Sequence, residues 1–183
     1  MIGSIDQYDV VYLGSSLPKI DWWFGFRLFY KGWSLNAQFN YRYGNKIANV
    51  ARMRAENMHG ADNQSTAVNY RWRKEGDGAN GGHVLPRALY GQGYNWMGSD
   101  RFVEDGSFLR LNYLQFSYGF DSKLIKRIGL SRLNLYVSGE NLFCLTKYSG
   151  VDPEVNYGDM GVTKDEAITP RAKSFTFGLT ATF

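Results

Sequence analysis

The sequence predicts an all-β chain, with about five antiparallel strands from the wall of a large transmembrane β-barrel and long loops between them. Three observations carry this. Aromatic residues make up 16% of the 183, with 13 Tyr, 12 Phe and 5 Trp. Apolar and polar residues alternate with period two over stretches of about ten residues, which is long enough for a tilted strand to cross a bilayer. Some connections between these stretches are far longer than a compact soluble domain uses. No apolar run of roughly 18 residues occurs, so a transmembrane helix is excluded. A slightly negative mean hydropathy is what strands with one lipid-facing and one polar side produce.

The first strand is expected over 21–30, with Trp22, Phe24, Phe26, Leu28 and Tyr30 on one face and Trp23, Gly25, Arg27 and Phe29 on the other. Lys31-Gly32 makes a tight turn, since Gly supplies positive φ. The second strand, 33–44, alternates most cleanly. Trp33, Leu35, Ala37, Phe39, Tyr41 and Tyr43 oppose Ser34, Asn36, Gln38, Asn40, Arg42 and Gly44. Aromatics at both ends of the apolar face fit the girdles of a membrane barrel.

A long loop follows over 46–107, with a short helix expected over 47–58 and turn formers after it. The third strand, 108–120, changes phase near Asn112, which suggests a β-bulge or a part projecting beyond the lipid. A basic connector leads to the fourth strand, 132–143, and a second loop runs over 146–170. The fifth strand, 174–183, ends on Phe183. Five strands do not close a membrane barrel, and lipid tolerates no open edge. The rest of the wall is therefore expected on other chain.

Composition narrows the function. The charges over 47–104 are mixed rather than clustered, so the basic stripe needed for nucleic acid is missing. Cys144 is the single cysteine, and His59 and His83 are far apart, so neither a disulfide nor a metal site is spelled. No nucleophile elbow, P-loop or zinc-binding HExxH occurs, so an enzyme is not expected and no cofactor is implied. The N-terminus has neither a basic nor an apolar leader region, which is not a signal peptide.

Several stretches, in order along nearly the whole chain, resemble the C-terminal segment of SusC/RagA-family TonB-dependent outer-membrane transporters. They are YLGSSLPK at 12–19, FYKGWSL at 29–35, NYRW at 69–72, PRA at 86–88, SFLRLNYL at 107–114, YVSGENLF at 136–143, YSGVDPE at 148–154 and FTFGL at 175–179 before Phe183. The resemblance implies import of a glycan or peptide nutrient through a barrel of 22 strands. It also implies an N-terminal plug and TonB box, both absent here, and a SusD-like surface lipoprotein as lid. The implied partners are that lipoprotein, the TonB complex through the missing part, the remaining barrel chain and outer-membrane lipid. The long loops would be extracellular and the terminal Phe183 would be the barrel-assembly signal.

Candidate lumen-lining residues are Asn36, Gln38, Asn40, Arg42, Tyr136 and Glu140, and Arg27 shares their side. They read either as substrate or plug contacts or as solvated lining with cross-strand ion pairs. The loop aromatics Trp72, Tyr90, Tyr94 and Trp96 read as glycan-stacking or lid contacts, or as packing within a folded cap. The acidic loop of Asp152, Glu154, Asp159, Asp165 and Glu166 reads as calcium-binding or solvated. The rival class is a soluble β-sandwich binding or structural surface module, whose aromatic faces would pack on each other.

Overall fold

The computed structural model describes residues 7–78, 85–91, 98–155 and 163–183. In chain order these form β1 (Ile20–Tyr30), β2 (Trp33–Tyr43), β3 (Lys46–Asn49), helix α1 (Val50–Glu56), β4 (Val103–Asp105), β5 (Phe108–Gly119), the helical turn α2 (Ser122–Ile125), β6 (Arg132–Thr146), β7 (Lys164–Asp165) and β8 (Ser174–Thr182). They group into two compact units. The wall unit comprises Pro18–Asn45, Gly106–Lys147 and Thr169–Phe183. The loop unit comprises the described parts of Met1–Leu17, Lys46–Asp105 and Tyr148–Ile168.

The wall unit is one antiparallel sheet of five strands in the order β1-β2-β5-β6-β8. Its first hairpin turns through Lys31 and Gly32 at φ 45° and 87°, the paired positive values that a two-residue turn matched to strand twist requires. Register then sorts the side chains. Leu28, Leu35, Phe116, Val137 and Phe177 form one cross-strand row, and Tyr30, Trp33, Tyr118, Leu135 and Leu179 form the next. Directly paired residues share a face, so the apolar parity of each strand adds to a single apolar face. A strand of eleven residues is roughly 37 Å long. Tilted at about 45°, it crosses about 26 Å, which matches the apolar band of a membrane barrel.

The phase change in β5 is a bulge at Asn112. Gln38 pairs with Tyr113 and Phe39 with Leu111, so Asn112 is the extra residue. The insertion returns Leu109 and Leu111 to the apolar face beside Tyr41 and Phe39. On the other side of β5 the ladder shifts at the same place, where Asn141 of β6 has φ 52°.

That apolar face has no second protein layer among the described residues. Phe24, Phe26, Leu28, Phe175, Phe177 and Leu179 are all exposed. Burying one such side chain is worth about 1.5–3 kcal/mol, so six left in water forfeit roughly 9–18 kcal/mol. That equals the whole stability of a typical domain, about 5–15 kcal/mol. A sandwich would cover this face with a second sheet, whereas a barrel wall gives it to lipid.

The loop unit carries a sheet beyond the short helix and turn formers that the sequence predicts. Its three-stranded sheet has the order β4-β3-β7, with β3 antiparallel to β4 and parallel to β7. The two loops are thus joined into one body around the buried Ile47, Tyr148 and Val155. The helix expected from residue 47 begins three residues later. Ile47 and Ala48 are taken into the β3–β4 pairing, and Asn49 caps α1 by accepting the Arg52 N–H at 2.9 Å.

Without the bulge, unbroken alternation from Tyr113 through Asn112 would turn Arg110 onto the apolar face, where an Arg costs up to about 2–4 kcal/mol at a bilayer midplane. Because Asn112 is the extra residue, the full-length protein lacking it keeps Leu111 opposite Phe39 and Arg110 opposite Asn40, and its yield of folded barrel in detergent is expected to hold, measured by heat-modifiable gel migration; a large loss would contradict the bulge.

Candidate functional site: the polar face of the sheet

All six lumen-lining candidates fall on one face of the sheet. Asn36, Gln38, Asn40 and Arg42 are alternate residues of β2, and Tyr136 and Glu140 join them from β6 through β5. The rows read Arg27, Asn36, Gln115, Ser138 and Thr176, then Gly25, Gln38, Tyr113, Glu140 and Ser174.

Several of the polar groups on this face are spent on one another. Arg42 donates to Asp21 Oδ2 from Nε at 3.1 Å and from a terminal nitrogen at 2.7 Å, a cross-strand ion pair between β2 and β1. Its guanidinium also lies 5.5 Å from the Phe108 ring centroid. Ser174 donates to Glu140 Oε2 at 3.2 Å, Tyr113 to Gln115 at 2.9 Å, and the Ser34 and Ser117 hydroxyls are 2.6 Å apart. Tyr136 lies across its pair partner Gly178, where a Cβ would collide with the ring, so this glycine is required by close approach.

Asn36, Gln38 and Glu140 keep at least part of their surface open, whereas Asn40 is fully buried. Its amide makes no hydrogen bond among the described residues. Asn40 pairs with Arg110 of β5, a buried cation of this face that alternation alone missed. Counting through the bulge would have found it. The face therefore offers neutral amides, hydroxyls and the Arg42–Asp21 ion pair, which make weak polar contacts. It holds no nucleophile–base pair.

The remaining candidates lie elsewhere. Trp72 is in the loop unit, where its N–H donates to Leu85 C=O at 2.7 Å and Arg87 lies 5.9 Å from its ring. Tyr70 and Tyr90 of the same unit are exposed. Trp96 and Tyr94 lie outside the described residues. The side chain of Phe183 is exposed, and its carbonyl accepts from Ser131 Oγ at 3.3 Å.

The acidic loop is not a metal cage among the described residues. Asp152 accepts the Glu154 N–H, Asp165 accepts the Tyr148 hydroxyl at 2.7 Å, and Glu166 lies 3.6 Å from Arg54. Asp159 lies outside the described residues. Burial, followed by the bond to Asp165, pushes the Tyr148 hydroxyl far above its ordinary range.

Sequence reasoning also missed a charge ladder that ties the loop unit together. Arg101 binds the buried Glu56 at 2.5 Å, and Glu56 binds Arg52 at 3.0 Å. Arg52 binds Glu104 at 3.0 Å, and Glu104 accepts the Ser149 N–H at 2.8 Å and the Ser149 hydroxyl at 2.7 Å. Both guanidiniums lie over Phe102, at 4.7 and 5.9 Å. Burial by itself raises the Glu104 carboxyl, but the donors from Ser149, Arg52 and Asn49 outweigh it and hold the group below its usual range.

Comparison with known proteins places this geometry. No family model matches the chain. TonB-dependent receptor P3 of Formosa agariphila is 30% identical across 99% of this chain. TonB-dependent receptor SusC of Bacteroides thetaiotaomicron is 35% identical over 52% of it. Among solved structures, the RagAB peptide importer in its closed-closed state matches 93% of the chain with a TM-score of 0.77 at 26% identity. The open-open state matches with a TM-score of 0.74 at 25% identity. The chain spans about 18% of the length of P3 and of the matched RagAB chain.

Because the Glu104 carboxyl is depressed in the folded state, its contribution is complete above the unfolded carboxylate value of about 4.3 and is lost as pH falls through the lower folded value. Hydrogen exchange of α1 is therefore expected to accelerate below about pH 4. Glu104→Ala, which orphans the ladder donors, is expected to cost the loop unit roughly 1–3 kcal/mol at neutral pH, read by the same exchange.

Proposed function

We propose that this chain, a segment of an outer-membrane TonB-dependent receptor of the SusC/RagA family, supplies five strands of the wall of an energised import channel. The observation that carries the proposal is the division of one continuous sheet. Its apolar face has no protein cover among the described residues, while its other face collects Arg27, Asn36, Gln38, Asn40, Arg42, Tyr136 and Glu140. In a barrel the first face meets lipid and the second meets the lumen.

The cargo is a nutrient too large for a simple pore, a glycan or a peptide. The lining contributes weak polar contacts and no chemistry, which suits a passage that must release what it binds. Asn36, Gln38 and Glu140 are the contact candidates of the wall. Trp72, with Trp96 of the same long loop, is the candidate for stacking on cargo or for meeting a SusD-like surface lipoprotein acting as lid. The relatives that support this reading are named as receptors and as a peptide importer. Energy would enter through the TonB complex, acting on chain outside this segment.

Phe183 is proposed as the apolar terminus read during barrel insertion. In the full-length receptor, Phe183→Ala is expected to lower the outer-membrane level, measured by quantitative blotting of membrane fractions. An unchanged level would remove that role.

The channel reading is tested by narrowing the lining. Asn36→Trp combined with Gln38→Trp is expected to suppress uptake of a labelled cargo while the surface level of the receptor holds. Full uptake in that variant would show that cargo does not pass this face.

A further inference from the structure

We infer that the connection between β5 and β6 is a binding surface for anionic glycerophospholipid headgroups. The inference rests on the barrel-wall reading and goes beyond it by naming a partner for one end of the sheet. Within 120–130 lie three cations, Lys123, Lys126 and Arg127, against the single acid Asp121. Lys31, at the β1–β2 turn, projects from the same end, because Gly119 N–H donates to Gly32 C=O at 2.8 Å. All four cations are exposed, and none is in an ion pair among the described residues.

The connection is an ordered surface. Asp121 Oδ1 accepts the Lys123 N–H at 2.9 Å, which occupies one oxygen of the local acid. Ile125 is buried, Leu130 N–H donates to Ile125 C=O at 3.2 Å, and Gly129 closes the turn at φ 80°.

What distinguishes this patch from an ordinary solvated charge run is the ledge beside it. Trp33 stacks on Phe116 at 4.8 Å and meets Tyr118 at a tilt at 4.5 Å, and Tyr118 meets Phe120 edge-on at 4.9 Å. Tyr30 stands exposed next to Trp33 and beneath Lys31, whose ammonium is 5.2 Å from its ring. Trp and Tyr at the end of an apolar band settle at headgroup level. Cations one step past that ledge stand at the depth of the lipid phosphates, where Lys and Arg attract anionic lipid. Ile128 is 68% exposed beside these cations, placed to reach the acyl boundary. Short turns lie on the periplasmic side of bacterial barrels, so the lipid is that of the inner leaflet.

The test uses the full-length receptor folded in detergent and exposed to mixed phosphatidylethanolamine, phosphatidylglycerol and cardiolipin. Retained lipid is counted by native mass spectrometry. The variant Lys123→Gln/Lys126→Gln/Arg127→Gln is expected to lose the preference for phosphatidylglycerol and cardiolipin by about tenfold or more. A control, Arg73→Gln/Lys74→Gln in the loop unit, is expected to keep it. Anionic lipid retained equally by the connector variant, or lost equally by the control, overturns the inference. If the connector variant does not fold, Lys126→Gln/Arg127→Gln and the wild type at raised salt serve instead, and both must lower the preference. Failure of the wild type to form a heat-modifiable barrel is a separate result, which counts against the wall reading itself.

Discussion

The constraint on which the rest depends is backbone hydrogen bonding in a medium without water. Inside hydrocarbon every N–H and C=O must find a partner within the protein, so the strand ladder and its register come before any side-chain preference. Side chains alternate with period two, so one slip in register would reverse a whole strand. Across β1, β2, β5, β6 and β8 the register instead aligns five separate alternations into one apolar and one polar face. The bulge at Asn112 keeps that alignment where the phase of β5 changes. The outer edges of β1 and β8 are unpaired among the described residues, and the same constraint directs them to further wall strands.

Polar economy follows from that arrangement. On the polar face Arg42 is neutralised across strands by Asp21, and the Ser34 and Ser117 hydroxyls serve one another. A face prepared in this way presents amides and satisfied charges to whatever passes, without a strong trap. The loop unit applies the same economy to its charges. The ladder from Arg101 through Glu56, Arg52 and Glu104 to Ser149 alternates in sign and joins residues from both long loops. A part-buried ladder with every member satisfied holds a unique arrangement, whereas one with a missing partner costs roughly 1–3 kcal/mol.

The wall was largely legible in the sequence because period-two alternation is a local signal, and all six lining candidates on β2 and β6 could be read from parity alone. The bulge left a trace too, as the reversed parity of Leu109 and Leu111. Arg110 was missed because it is on the polar face only when Asn112 is counted as the extra residue. The loop unit was illegible for a different reason. Its order comes from pairings between distant segments, such as Ala48 with Lys164 and Glu104 with Ser149, and no local period announces them. The acidic residues looked like a solvated or cation-binding loop because their partners, Tyr148 for Asp165 and Arg54 for Glu166, are contacts that spacing does not encode.

The central claim is that one face of this sheet meets lipid and the other meets the aqueous lumen. Site-directed spin labelling of the full-length receptor in bilayers measures this directly. Labels placed singly along β2 and β5 would be compared for collision with apolar oxygen and with a water-soluble relaxation agent. Oxygen access should alternate with period two, high at Leu35, Phe39, Leu114 and Phe116 and low at Asn36, Gln38, Gln115 and Ser117. The phase should reverse across Asn112, so that Leu109 and Leu111 rejoin the lipid side. Equal access to the water-soluble agent on both faces, or an alternation that runs through Asn112 without reversing, would contradict the account.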